Sequence, residues 1–213
     1  MSKYVIEFIG TFFLVLVIAS TGNPLAIAAI LIAMIYMGGY ISGAHYNPAV
    51  TLAVFVRGKI SPLQAVMYWI VQILGALCAA LIFAWVASQK FNPGPNPLAT
   101  FQHAVLMEFL FTFALATVVL HVATSVQNTG NSYFGLAIGM VILAGAYTGG
   151  LSGGVYNPAV ALGAYLSDFS NFGSHMANLR IYLLGPLSGG LCAGILYRFL
   201  TMPPKSDRKK SAR

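Results

Sequence analysis

The sequence predicts an all-α membrane protein, with six transmembrane helices and two re-entrant half-helices arranged in two inverted repeats. The first observation is composition: 58% of the 213 residues are hydrophobic and only 7% are charged, which is typical of a chain embedded in lipid. The second is a set of six long apolar stretches. The third is a ten-residue segment that occurs twice, 110 residues apart. A chain of this length and composition leaves no room for a separate soluble domain.

The apolar stretches are each about 20 residues long, which is enough to cross the hydrocarbon core of a bilayer. In the first stretch Glu7 interrupts the apolar run and no small-x-small cleavage site follows, so we interpret it as a helix rather than a signal peptide. Cys78 and Cys192 lie in the similar strings ALCAAL and GLCAGI, and we interpret them as small packing residues rather than a disulfide or metal site. The predicted spans are 4–21, 25–42, 62–88, 101–125, 132–150 and 178–200.

The repeated segment reads ISGAHYNPAV at 41–50 and LSGGVYNPAV at 151–160, with seven identical positions of ten. In each copy Asn-Pro predicts the start of a helix, because Asn caps a helix and Pro at the first position lacks only an amide that has no helical partner. The two predicted helices, 47–56 and 157–166, are about half a membrane thickness long at ~1.5 Å per residue. Since lipid cannot satisfy irregular backbone, both segments must line a cavity or lie buried in protein.

The similarity between the halves extends beyond this segment. EFIGTFFL at 7–14 resembles EFLFTFAL at 108–115, and each string opens a half made of span, span, half-helix and span. Three spans are an odd number, so the second half is inverted relative to the first. We therefore predict that the half-helices enter from opposite faces and that their amino termini meet near the middle of the membrane.

The net charge of +7 is better explained by topology than by a nucleic-acid partner, because Lys and Arg are distributed by side. With both termini in the cytoplasm, nine Lys and Arg residues are cytoplasmic, and Lys90 and Arg180 alone are outside. This is the positive-inside pattern. We predict a multi-pass protein of the cell membrane with both termini cytoplasmic, a basic tail at 203–213 and no nucleic-acid partner.

Together these features resemble the major intrinsic protein family, the aquaporins and aquaglyceroporins. The resemblance covers roughly residues 4 to 200 and rests on the doubled Asn-Pro-Ala, the inverted halves and a Glu in the first span of each half. It implies a passive channel for water or small uncharged solutes such as glycerol or urea, which excludes ions and protons and is usually a homotetramer in the lipid bilayer. The chain then forms one transmembrane channel domain over 1–202, with repeats at about 4–88 and 101–200.

In such a channel the opposed helix amino termini place partial positive charge at their meeting point and repel cations. We expect Asn47 and Asn157 to cap the half-helices with their side-chain oxygens and to donate from their amide groups into the pore. Glu7 and Glu108 are expected to bind backbone amides of the re-entrant segment in their own half, and the alternative is a pair of ion-pathway carboxylates. The other motif residues are Pro48, Ala49, Pro158 and Ala159, and the expected pore-lining carbonyls are those of Gly43, Ala44, His45, Ser152, Gly153 and Gly154.

The second motif departs from the family at Val160, where most members carry an arginine that lines the outer constriction. Counting without gaps from the motifs, as they lie in water-selective relatives, places the other constriction residues at Ile27, Gly145 and Gly154. These four residues predict a wide, apolar filter that passes glycerol, urea or similar solutes. The alternative is a narrow, water-selective pore closed by a bulky residue elsewhere, for which Tyr147, Tyr156 and Phe169 are considered.

Other interpretations are left open at this point. His45 either tunes flow with pH or is a structural histidine. Half-helices that meet at mid-membrane also occur in secondary transporters, although no carboxylate lies near either motif. A non-conducting scaffold or adhesion protein of the same fold is the third class. No nucleophile with a nearby base, metal-ligand spacing or phosphate loop is present, so we expect no enzyme activity, no cofactor and no metal.

Overall fold

The computed structural model describes residues 1–201, which form eight α-helices and no β-strand. Six helices are long and apolar enough to cross a membrane, and the other two are half-helices of 9 and 10 residues. The predicted fold class is confirmed, while the predicted basic tail at 203–213 lies outside the described residues. The helices are α1 (Ser2–Thr21), α2 (Pro24–Ser42), α3 (Pro48–Val56), α4 (Pro62–Ala87), α5 (Phe101–Thr124), α6 (Phe134–Thr148), α7 (Pro158–Ser167) and α8 (Phe172–Thr201).

Most helices begin at a capping residue that the sequence displays. The Asn23 side chain accepts a hydrogen bond from the amide of Leu25 (2.9 Å), directly before Pro24 at the first position of α2. Ser61 caps α4 and Thr100 caps α5 in the same way. Side-chain oxygens at these positions satisfy amides that have no partner within the helix.

The last span is longer than the sequence predicts. α8 begins at Phe172 rather than near 178 and runs for 30 residues. Polar residues in its first two turns, among them His175 and Asn178, lower the local hydropathy. A search for apolar stretches therefore does not include this part of the helix. The helix nevertheless continues through them, because its backbone bonds form equally well outside the apolar layer.

The two halves interlock through their half-helices. α1 packs along α4 and α5 along α8, while α3 packs on α8 and α7 packs on α4, so each half-helix contacts the last span of the other half. Glycines allow these close approaches: a Cβ at Gly190 would lie 2.2 Å from the Ala49 carbonyl oxygen, and one at Gly163 would lie 2.5 Å from the Ala76 Cβ. Small residues at helix crossings are the usual means by which backbones approach in membranes.

Both ends of the described chain lie on one face, which we call the terminal face, because six spans return the chain to the side where it began. Residues 125–133 join α5 to α6 on this face, and residues 88–100 join α4 to α5 on the opposite face. Arg57, at the end of α3, donates to the Thr124 Oγ1 (2.6 Å) and lies over the Tyr197 ring at 4.6 Å. These contacts hold the outer end of α3 against α5 and α8.

Candidate functional site

The two Asn-Pro-Ala motifs meet in the interior and bind each other crosswise. Asn47 Oδ1 accepts from the Ala49 amide (2.8 Å), and its Nδ2 donates to the Tyr156 carbonyl (2.8 Å). Asn157 Oδ1 accepts from the Ala159 amide (3.0 Å), and its Nδ2 donates to the Tyr46 carbonyl (2.9 Å). An amide nitrogen carries two hydrogens, so each asparagine keeps a second N–H for a molecule beside it.

Glu7 is buried within α1 and binds the re-entrant segment of the first half. Its carboxyl oxygens accept from the Ser42 Oγ (2.7 Å), the His45 amide (2.9 Å), the Tyr46 amide (2.7 Å) and the Gln72 Nε2 (2.8 Å). A carboxyl group can accept about four hydrogen bonds. The acid therefore joins three groups of the re-entrant segment to the side chain of Gln72 in α4.

Glu108 occupies the corresponding place in the second half. Its carboxyl oxygens accept from the Ser152 Oγ (2.8 Å), the Val155 amide (2.9 Å) and the Tyr156 amide (2.5 Å). Each half also has an equivalent hydrogen bond from a tyrosine. The Tyr182 hydroxyl donates to the Ser152 carbonyl, and the Tyr68 hydroxyl donates to the Ser42 carbonyl, both at 2.7 Å.

The first half carries additional polar contacts that bear on the tautomer of His45. Thr51 Oγ1 donates to the Asn47 carbonyl (3.0 Å) and accepts from Gln72 Nε2 (3.0 Å). Because that hydroxyl hydrogen is already used, the 3.1 Å contact between His45 Nδ1 and Thr51 Oγ1 requires Nδ1 to be the donor. In neutral His45 the Nε2 atom is then an acceptor. The second half has apolar Val155 in the position of His45.

A central cavity of about 300 Å³ runs past both asparagines. It is lined by no Asp, Glu, Lys or Arg side chain of residues 1–201, and α1, α2, α5 and α6 supply most of its apolar wall. A second cavity, of about 640 Å³, opens at the terminal face, and His45 and Val119 border both cavities. The apolar residues that α1, α2, α5 and α6 contribute to the central wall are Leu14, Ile18, Ile27, Leu31, Ile35, Leu115, Val119, Ile138, Ile142 and Ala146.

Comparison with known proteins decides the family. A family model described as "Major intrinsic protein" matches residues 18–197. The chain belongs to the major intrinsic protein family. This family member is therefore a multi-pass membrane protein and a passive channel for water or small solutes.

Relatives of this family member come from distant organisms. It is 34% identical over 216 residues to "Aquaporin NIP2-1" of Oryza sativa subsp. japonica, covering 94% of this chain and 70% of that protein. It is 33% identical over 240 residues to "Aquaporin AqpM" of Methanothermobacter thermautotrophicus, covering 93% of this chain and 97% of that protein. The fold is similar to that of the aquaglyceroporin from Plasmodium falciparum, with a TM-score of 0.81, 22% identity, and 92% and 94% of the two chains covered.

The carbonyl groups predicted to line the pore of this family member divide into three sets. Ala44, His45, Gly153 and Gly154 border the central cavity. Gly43 borders the wider cavity at the terminal face. Ser152 is fully buried, does not border the cavity and uses its carbonyl to accept from a tyrosine hydroxyl.

Of the four residues predicted to form the outer filter, three line the central cavity: Ile27, Gly154 and Val160. Gly145 is not among the lining residues, and its place in the filter stays a prediction. A Cβ at Gly145 would lie 2.9 Å from the Tyr156 ring, and its carbonyl accepts from the Tyr156 hydroxyl at 2.9 Å. Gly145 thus faces the tyrosine rather than the pore.

Tyr156 borders the central cavity, as its counterpart Tyr46 does, and its ring packs against Gly145 and Phe111. Tyr147 and Phe169 are 69% and 75% exposed and do not border the cavity. Tyr156 has a φ of 51°, and its counterpart Tyr46 has a φ of 50°, a left-handed conformation that costs a residue with a side chain about 1–3 kcal/mol. From the sequence alone Tyr156 is only a bulky alternative, because nothing in the local pattern predicts this backbone angle.

A second group of pore-lining residues was missed altogether. Phe91, Pro93 and Gly94 line the central cavity from the segment that joins α4 to α5 on the opposite face. The segment is held against the second re-entrant loop, since the Asn96 amide donates to the Leu151 carbonyl at 3.0 Å. Proline and glycine are typical of turns, but only the long-range contact places this segment at the pore mouth.

Proposed function

We propose that the chain conducts small uncharged solutes such as glycerol or urea, together with water, and excludes ions and protons. The observation that carries this proposal is Val160, which lines the cavity in the first turn of α7 and is 1% exposed. Most family members carry an arginine at this position. An apolar Val160 leaves the outer part of the pore without that long cationic side chain, and so leaves it wider and less polar.

The walls of the cavity suit a solute that has both hydroxyl or amide groups and a carbon skeleton. Asn47 and Asn157 offer donors, and the re-entrant carbonyls of Ala44, Gly153 and Gly154 offer acceptors. The apolar side chains of four helices contact the carbon skeleton. Polar groups on one side and apolar groups on the other replace the hydration that the solute gives up on entry.

Ion exclusion is proposed on the opposed half-helices. α3 and α7 begin at Pro48 and Pro158, beside the two asparagines, and each amino terminus carries about half a positive charge. A cation at the meeting point is repelled and finds no carboxylate among the cavity-lining residues that the structure describes. Glu7 and Glu108 are proposed as structural acids, because their oxygens are occupied by loop amides and hydroxyls.

Replacing Val160 with arginine is expected to lower glycerol and urea flux in proteoliposomes by about tenfold or more. The arginine narrows the outer pore and offers donors that favour water. Stopped-flow measurement of water, glycerol and urea permeability, normalised to the amount of protein, checks this result. Val160→Leu is the matched control, because it changes size without adding charge or donors, and it is expected to retain more solute flux than Val160→Arg. Wild-type protein that passes water alone would show that the wide-filter interpretation is wrong.

Proton permeability of the wild-type channel is expected to stay at the level of protein-free vesicles. The dipoles of α3 and α7 remain opposed, and both asparagines orient an oxygen between them, which breaks a chain of hydrogen-bonded water. A pH-sensitive dye trapped in proteoliposomes measures the decay of an imposed pH gradient. A protein-dependent decay would mean that the missing arginine was needed as a second barrier.

A narrow, water-selective pore is the second candidate, and one observation favours it. The Tyr156 ring packs beside Gly145 and the residue borders the cavity, so it adds bulk next to a small residue of the predicted filter. The same flux assay separates the two functions, and absence of all flux would favour a scaffold role.

We also propose a homotetramer, on the basis of the family. The uneven distribution of Lys and Arg supports the further proposal that both termini are cytoplasmic.

A further inference from the structure

We propose that Asp168 is a positioning residue that holds residues 90–94 over the mouth of the pore on the face opposite the terminal face. It thereby sets the size of the largest solute that passes the Phe91 ring. The inference rests on the proposed function, because the size limit for solutes is measured as flux through a conducting channel. Asp168 does not contact the pore, so its effect is exerted through the segment that it binds.

The first observation is the burial of Asp168 and its choice of partners. The carboxylate follows α7 directly, is only 3% exposed, and binds two residues from the segment between α4 and α5. Lys90 Nζ donates to Oδ1, and Asn92 Nδ2 donates to Oδ2 at 3.3 Å. Burying a carboxylate is costly unless it is paired and hydrogen-bonded, and these partners supply that compensation.

The second observation is the direction of the residue between these two. Phe91 lines the central cavity, while Lys90 and Asn92 on either side of it contact Asp168. Residues 90–92 form neither helix nor turn, and neighbouring side chains of such a segment can point to opposite sides. Holding residues 90 and 92 away from the pore therefore places the intervening aromatic ring towards it.

The third observation is a set of contacts that anchors Asp168 and the segment to the rest of the fold. Asn171 Nδ2 lies 3.0 Å from Asp168 Oδ1, and His175 Nε2 lies 3.2 Å from Oδ2. His175 stacks on Tyr165 with 4.6 Å between ring centroids, and the Tyr165 hydroxyl donates to the Pro93 carbonyl at 2.5 Å. The segment is thus bound to the end of α7 and the start of α8 at consecutive points.

Charge keeps this arrangement in place over a wide pH range. The Lys90 ammonium, followed by hydrogen bonds from His175, Asn171 and Asn92, holds the pKa of Asp168 below its ordinary value of 3.8. Lys90 and His175 are the charged or titratable groups in direct contact with the carboxylate, and Tyr165 stacks behind His175. Because the folded protein binds this proton less readily than the unfolded chain, the stabilisation is present above the unfolded pKa and is lost as the pH falls towards the folded one.

The test compares the permeability of a larger polyol, erythritol, with that of urea in proteoliposomes. Asp168→Asn and Phe91→Ala are each expected to raise the erythritol-to-urea ratio by about threefold, and the double variant is expected to show no further increase, because the two changes act on one feature. Lys90→Met, which removes only the ammonium group, is expected to shift the ratio in the same direction. Matched controls are Phe169→Ala, an exposed ring away from the pore, and Lys3→Met, a lysine on the terminal face, and neither is expected to change the ratio.

Hydrogen exchange of the amides at 89–98 in detergent provides a readout that does not depend on conduction. Asp168→Asn is expected to accelerate exchange there at pH 7 while leaving exchange in α1 and α5 unchanged. If no variant conducts any solute, the proposed function fails, and the exchange result still decides the role of Asp168. Unchanged exchange at 89–98, or additive effects of Phe91→Ala and Asp168→Asn on the ratio, would overturn the proposal. If Asp168→Asn does not fold, Lys90→Met combined with Asn92→Ala takes its place.

Discussion

Replacing Glu7 with alanine is expected to destabilise the folded protein by at least about 3 kcal/mol, because it leaves several buried donors unpaired and each costs about 1–3 kcal/mol. The residue is fully buried and accepts hydrogen bonds from Ser42, His45, Tyr46 and Gln72. Two of these donors are backbone amides, which remain buried without an acceptor when the carboxyl group is removed. Without the carboxyl group the first re-entrant segment loses its hydrogen bonds from Ser42, His45 and Tyr46 to α1.

Thermal unfolding in detergent measures the effect, with Trp69 as a local fluorescent reporter, since its indole donates to the Pro48 carbonyl at 3.1 Å. Glu7→Gln is the matched control. It keeps one acceptor oxygen and is expected to lose less stability than Glu7→Ala. An alanine variant as stable as wild type would mean that water enters and replaces the carboxyl group, and the structural role proposed for Glu7 would then be wrong.

Replacing Gly190 with leucine is expected to abolish conduction and to reduce the free energy of unfolding by about 3 kcal/mol or more. A Cβ at this position would lie 2.2 Å from the Ala49 carbonyl oxygen and 2.9 Å from its carbon. Both atoms belong to the backbone of α3, so the half-helix itself must be displaced. Displacing α3 moves Asn47, which binds the Tyr156 carbonyl at the centre of the pore.

Gly173 is the matched control for this substitution, because it lies in the same helix and a Cβ there would meet no other atom within 4 Å. Gly173→Leu is expected to leave flux and unfolding temperature near their wild-type values, whereas Gly190→Leu lowers both. Solute flux in proteoliposomes and thermal unfolding in detergent together measure the difference. Normal flux through Gly190→Leu would show that α8 and α3 separate without disturbing the pore.

The elements that the sequence predicts well are those set by local interactions. Six apolar stretches, and Asn or Ser before Pro at the start of four helices, predict the spans and half-helices within a few residues. The error at the start of α8 has the same origin, because the polar side chains of His175 and Asn178 lower hydropathy without breaking the helix. Hydropathy indicates which part of a helix contacts lipid, and capping residues indicate where a helix begins.

The candidate site could be predicted in part. Asn47, Asn157 and Val160 line the cavity as counted from the motifs, because a half-helix is rigid and its register follows from its cap. Ile27 lines the cavity from α2. The direction in which Gly145 faces does not follow from counting, because it depends on the Tyr156 ring that packs beside it.

The sequence by itself determined the membrane class, the inverted halves, the two half-helices and the absence of the usual arginine at Val160, since each is written in composition, spacing or a single residue. Only the tertiary structure decided that Tyr156 borders the pore, that Ser152 turns away from it and that Phe91 lies at its mouth. These outcomes depend on contacts between residues far apart in the chain, such as Ser152 with Glu108 and Lys90 with Asp168. Such contacts are settled by packing and hydrogen bonding once the helices are assembled, so no local pattern encodes them.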